Sequence, residues 1–72
     1  MDQGEQAMKI SLENGVVLYV SHLADSGQRK SRRQMVAEAA IRCFGMNMGG
    51  TLLDESLTTV ARFDATGKRL AS

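Results

Sequence analysis

Residues 7–26, AMKISLENGVVLYVSHLADS, decide the fold. The first six alternate. Met8, Ile10 and Leu12 fall on one face, and Ala7, Lys9 and Ser11 on the other, the pattern of a two-faced strand. A lone strand cannot satisfy its own backbone groups, so a partner strand is required. The residues that follow read two ways. Asn14-Gly15 between apolar runs is a strong hairpin signal, and Val16 to Val20 would return with fitting β-branched content. In a two-residue hairpin, however, Lys9, Ser11 and Glu13 would oppose Val20, Leu18 and Val16, crossing polar with apolar faces. Alternatively, Asn14 caps a helix running to about Ser26. Val16, Val17, Val20, Leu23 and Ala24 then form one helical stripe. Gly15 and three valines are poor helix formers, so packing would have to hold it. The stripe continues through Leu23-Ala24, where a hairpin gives no account, and the helix reading is preferred. Gly27 sits near its C-terminal end.

A second helix is expected from Ser31, its N-cap, with Lys30–Met46 reading KSRRQMVAEAAIRCFGM. Met35, Val36, Ala39, Ala40 and Cys43 recur at helical spacing, and Gly45 suits the left-handed residue that ends a helix. Arg29, Lys30, Arg32 and Arg33 crowd its start, and residues 26–37 hold four positive charges and no negative one. Such a run is often only a solvated helix start. Oriented amides beside four cations also suit a phosphate. Beyond the helix, 45–52 (GMNMGGTL) reads as a Gly-rich turn, and 53–59 as a short helix or strand. Val60–Phe63 and Lys68–Leu70 flank Asp64-Ala-Thr-Gly67, a four-residue loop suited to a type I turn closed by Gly with positive φ. Residues 1–6 are polar and read as a flexible arm.

A chain of 72 residues is one domain at most and buries little apolar surface, which favours oligomerisation. Hydrophobic residues make up 43% and aromatics 4%, so the core is aliphatic and Met-rich. One Cys excludes an internal disulfide framework and fits a reducing, cytoplasmic setting. No membrane span or signal peptide is evident. One His and one Cys cannot assemble a metal cluster within one copy, and no metal or cofactor is expected. His22 lies off the apolar stripe and reads as a surface residue, and Cys43 as core. Ser31 with His22 makes no hydrolase, so no enzyme is expected.

Strand, helix, turn, helix resembles the ribbon-helix-helix family of DNA-binding proteins, which includes the Arc, methionine-repressor and plasmid copy-control repressors. The residues that carry the resemblance are the strand AMKISL, the spacing of Val16, Val17, Val20 and Leu23 after Leu12, the closing Gly27, and SRRQMVAEAAIRCF with Met35-Val36 and Ala39 in the family's apolar places. The resemblance implies a mostly α fold with a short N-terminal strand and an intertwined ribbon-helix-helix homodimer over 7–45; residues 46–72 lie outside the family core and read as a C-terminal extension carrying the hairpin. The dimer core would comprise Met8, Ile10, Leu12, Val16, Val17, Val20, Leu23, Met35, Val36, Ala39 and Cys43. Paired N-terminal strands would enter the major groove of double-stranded DNA, with Ala7, Lys9 and Ser11 reading base edges. Arg29, Lys30, Ser31, Arg32 and Arg33 would clamp a phosphate. The implied function is a dimeric, sequence-specific transcriptional repressor of bacterial, plasmid or phage origin, and residues 46–72 read either as a hairpin that covers the dimer or as a surface for a second protein.

Two other readings stand beside it. One is a small non-DNA interaction module, such as a phage-type inhibitor, with hairpins at Lys9–Val20 and Val60–Leu70 around a helix at Ser31–Phe44. The other is a plasmid relaxosome accessory protein. On the bland reading, Lys9 and Ser11 are the wet face of an edge strand. The state of residues 15–26 separates the first two readings: helix with a dimer in solution for the repressor, strand with a monomer for the module.

Overall fold

The structure, a computed structural model, describes residues 7–70. The chain forms β1 (Met8–Leu12), β2 (Val17–Val20), α1 (Arg32–Met46), β3 (Gly50–Leu53), β4 (Thr59–Phe63) and β5 (Arg69–Leu70). The strands make one antiparallel sheet of order β2-β1-β3-β4-β5, with α1 against one face. This overturns the ribbon-helix-helix fold. The segment expected as a first helix is instead β2, and β1 is bonded on both sides within its own chain. No free edge of β1 remains to pair with a second copy or to enter a groove as a two-stranded ribbon. The expected arm, residues 1–6, lies outside the described residues.

The loop explains why β2 is a strand after all. It holds three residues, Glu13, Asn14 and Gly15, rather than two. Leu12 N–H donates to Val16 O at 2.9 Å and Gly15 N–H to Leu12 O at 3.0 Å, with Gly15 at φ +91. This is a type I turn closed by a left-handed residue. One more loop residue moves the register by one, and a shift of one exchanges the faces. Ile10 therefore opposes Leu18 and Met8 opposes Val20, apolar on apolar, while Lys9 opposes Tyr19.

The same loop recurs three times. Ala24 N–H donates to Gln28 O and Gly27 N–H to Ala24 O. Asp54 and Leu57 repeat the pair with Thr58, and Asp64 and Gly67 with Lys68. The last residue of each loop, fourth in its turn, has positive φ: Gly15, Gly27, Leu57 and Gly67. Residues 22–30 thus form a small irregular ribbon, bridged at Leu23 and Arg29, where a helix end was expected. The C-terminal hairpin closes through Asp64–Gly67 as its loop suggested, pairing Phe63 with Arg69.

β2 and β3 flank β1 and both run antiparallel to it, so they are parallel to each other. Their connection must cross a face of the sheet, and α1 is that crossing. Ser31 caps it: its side chain accepts from Gln34 N–H at 3.1 Å, and Gln34 Oε1 accepts from Ser31 N–H at 2.8 Å, a complete capping box. Gly45 stays inside the helix. The left-handed terminator is Asn47 (φ 55), with Asn47 N–H bonded to Phe44 O and Met48 N–H to Cys43 O.

Met35, Ala39 and Cys43 on α1 are buried against Met8, Ile10, Leu12, Val20, Leu52, Ala61 and Phe63. Seven residues of the expected dimer core (Met8, Ile10, Leu12, Val20, Met35, Ala39 and Cys43) are thus buried within one chain, and Val36 is half-buried. Val16, Val17 and Leu23 are exposed. Their helical stripe does not exist, because a strand sends its members Val17 and Val20 to opposite faces. Residues 46–70, expected as an extension beyond 7–45, supply three of the five strands, with β3 bonded directly to β1.

Candidate functional site

The start of α1 and the end of the sheet meet at a groove. Its floor is aliphatic, Val36 from α1 and Val60 from β4, and its walls are Arg32, Arg33 and Arg69. Its volume is about 380 Å³. Arg69 reaches it because the β4–β5 register pairs it with Phe63, whose side chain lies on the helix side of the sheet. Its guanidinium rests 3.4 Å from Val60 O. Among the described residues no carboxylate lines the groove. Three guanidiniums beside an apolar floor hold up to three bidentate acceptor positions next to a surface that excludes water.

The phosphate clamp expected at the helix start is rearranged. Lys30 is taken: its Nζ pairs with Glu38, which also holds Arg42 at 3.6 Å. Ser31 spends its hydroxyl on the Gln34 amide, so that amide is not free for a ligand. Arg29 is exposed in the 22–30 ribbon. Only Arg32 and Arg33 of the expected set line the groove, and Arg69 joins them from 36 positions after Arg33. Sequence reasoning missed Arg69. Its signal was the Asp64–Gly67 loop, which sets Arg69 opposite apolar Phe63 and so on the inner face.

Of the residues expected to read bases, Lys9 and Ser11 lie half-buried on the outer side of β1, the second strand of the sheet, and Ala7, also half-buried, immediately precedes it. Lys9 stands between Tyr19 and Leu53, and Ser11 between Val17 and Thr51. They do not share a surface with the arginine groove, since α1 lies on the other face of the sheet.

No family model, curated protein or solved structure matches this chain. The ribbon-helix-helix resemblance thus rests on sequence spacing, and the sheet removes the fold it implied. Among the described residues no three His, Cys, Asp or Glu side chains gather as metal ligands, and no helix is long and apolar enough to cross a membrane. Cys43 is buried, and burial, then the charge of Glu13, pushes its thiol pKa up. A raised thiol pKa works against thiolate chemistry.

Proposed function

We propose that this protein is a small binding module without catalytic activity, whose arginine groove takes an acidic segment of another protein. The observation that carries the reading is the convergence of Arg32, Arg33 and Arg69 on an apolar floor with no lining carboxylate. Charge complementarity selects an anionic partner, and the floor of Val36 and Val60 selects one that alternates acidic with aliphatic side chains. A single-stranded nucleic acid would ask instead for aromatic surfaces on which bases stack. The groove has none, and the exposed Tyr19 belongs to β2, at the opposite edge of the sheet from β5. The strand at Val17–Val20, where the interaction-module reading placed one and the repressor reading placed a helix, also supports a binding module.

The test uses a fluorescein-labelled peptide alternating Glu and Leu, read by anisotropy against the full chain. The parent is expected to bind it, more weakly as salt rises. Arg69→Ala, and Arg32→Ala with Arg33→Ala, should each weaken binding about tenfold or more. Replacing the peptide's Leu by Ser should weaken it too. Duplex DNA that binds while the peptide does not, or peptide binding indifferent to all three arginines, overturns the reading.

A further inference from the structure

β2 is an edge strand whose open side is neutral and unprotected. Val17–Val20 reads VLYV, with no charge, proline or bulge, the devices that normally blunt a sheet edge. The phase of its hydrogen bonding is set by the bond from Leu12 N–H to Val16 O. In an antiparallel ladder the bonded residues alternate, so Leu18 and Val20 direct their N–H and C=O groups to β1. Val17 and Tyr19 direct theirs outward. Among the described residues neither has a backbone partner there. Their side chains are 44% and 61% exposed on the outer face.

We infer that the β2 edge pairs with the β2 edge of a second copy, joining two five-stranded sheets into one continuous antiparallel sheet. The strand is self-complementary for this. With a two-fold axis at Leu18, Val17 of one copy lies opposite Tyr19 of the other, and each such pair exchanges both of its backbone bonds. All the outward groups of Val17 and Tyr19 are then satisfied in both copies. On the outer face a β-branched residue meets an aromatic one twice, a favourable cross-strand pair. On the inner face Leu18 meets Leu18 beside the core it already packs against.

Charge does not oppose the pairing. The nearest cation across the sheet is Lys9, opposite Tyr19 in β1. The two copies of Lys9 would stand three strand spacings apart and two residues out of line, about 16 Å, beyond the screening length of about 8 Å at physiological salt. A core made by one short chain also gains from a shared sheet. The inference does not depend on the arginine groove, which forms where α1 meets β4 and β5.

The experiment is the mass of the full chain in solution by light scattering, together with amide hydrogen exchange. The parent is expected to weigh twice the 7.8 kDa of one chain. Val17 and Tyr19 amides should be protected together with those of Leu18 and Val20. The double variant Val17→Lys, Tyr19→Lys should be a monomer, losing protection at positions 17 and 19 and keeping it at Leu18 and Val20. A parent that is monomeric at high micromolar concentration overturns the inference. So does a parental dimer in which the Val17 and Tyr19 amides exchange freely, a result read without any variant.

Discussion

Leu57 occupies in the β3–β4 loop the place that Gly67 occupies in the β4–β5 loop. Both follow an aspartate by three positions, both donate their N–H to that aspartate's carbonyl, and both have positive φ, 64 and 82. A left-handed backbone costs an L-residue roughly 1–2 kcal/mol. Leu57 is exposed, so its side chain returns little by burial. Leu57→Gly should therefore stabilise the protein, by about 0.5–1 kcal/mol after the added chain entropy of Gly in the unfolded state. The midpoint of urea denaturation measures it, and a lower midpoint would refute the account.

Gly67 is constrained further. A Cβ there would lie 2.8 Å from Ala40 O on α1, a contact with backbone that cannot swing aside. At Gly27, with φ +89, the same atom meets nothing within 4 Å. Gly27→Ala should cost only the backbone term, roughly 1–2 kcal/mol. Gly67→Ala should cost that plus roughly 1–3 kcal/mol of overpacking. Parallel denaturation curves of the two variants check the order.

Ile10 is fully buried at the centre of β1, while Ile41 on α1 is 68% exposed. Ile10→Ala should lose about 2–5 kcal/mol, much of the stability of so small a domain. Ile41→Ala should stay within about 0.5 kcal/mol. Thermal melts followed by circular dichroism separate the two.

Asp64 Oδ1 accepts from Thr66 Oγ1 at 2.6 Å, Thr66 N–H at 2.9 Å and Lys68 N–H at 3.0 Å. The Thr66 hydroxyl bond, then the Lys68 amide bond, hold its carboxyl below the usual carboxylate range. A lowered pKa in the folded state means that the charged form stabilises the fold. That stability is present above the ordinary aspartate value of about 3.9 and is lost as pH falls through the lower folded value. Melting temperature measured from neutral to acid pH should fall less steeply in Asp64→Ala than in the parent.

The Cys43 thiol is raised, so its sign is opposite. Its neutral form suits the fold, and the contribution is present below the free-thiol value of about 8.5 and lost as pH rises toward the folded value. Alkylation by iodoacetamide at mildly alkaline pH should therefore await unfolding. Prompt labelling of the folded chain, followed by mass spectrometry, would contradict the burial.

Much of the local structure was legible. The alternation of Met8, Ile10 and Leu12 marked β1. Ser31 and the spacing of Met35, Ala39 and Cys43 marked α1, and Asp64–Gly67 marked the last hairpin. Each signal is written in neighbouring residues, by a period or by turn chemistry. Val16–Val20 was not legible in this way, because five apolar residues satisfy a strand period and a helix period alike. The deciding clue was the loop. Gly15, Gly27 and Gly67 each stand fourth in the same turn, and only a three-residue loop puts Ile10 opposite Leu18.

The sequence by itself determined β1, the start of α1 and the last hairpin, since caps, periods and turns act within a few residues, while Val17–Val20 and Gly50–Leu53 became strands only through their neighbours in the sheet. Only the tertiary structure decided which strand lies beside which. Leu52 joins Ile10 because β1 needs a second neighbour and α1 needs a face to cover, and neither need names its partner in the sequence. The candidate site is a product of that pairing. Arg32 and Arg33 lay in view as a basic run, but Arg69 meets them only because the antiparallel meander of β3, β4 and β5 carries the end of the chain to the start of α1.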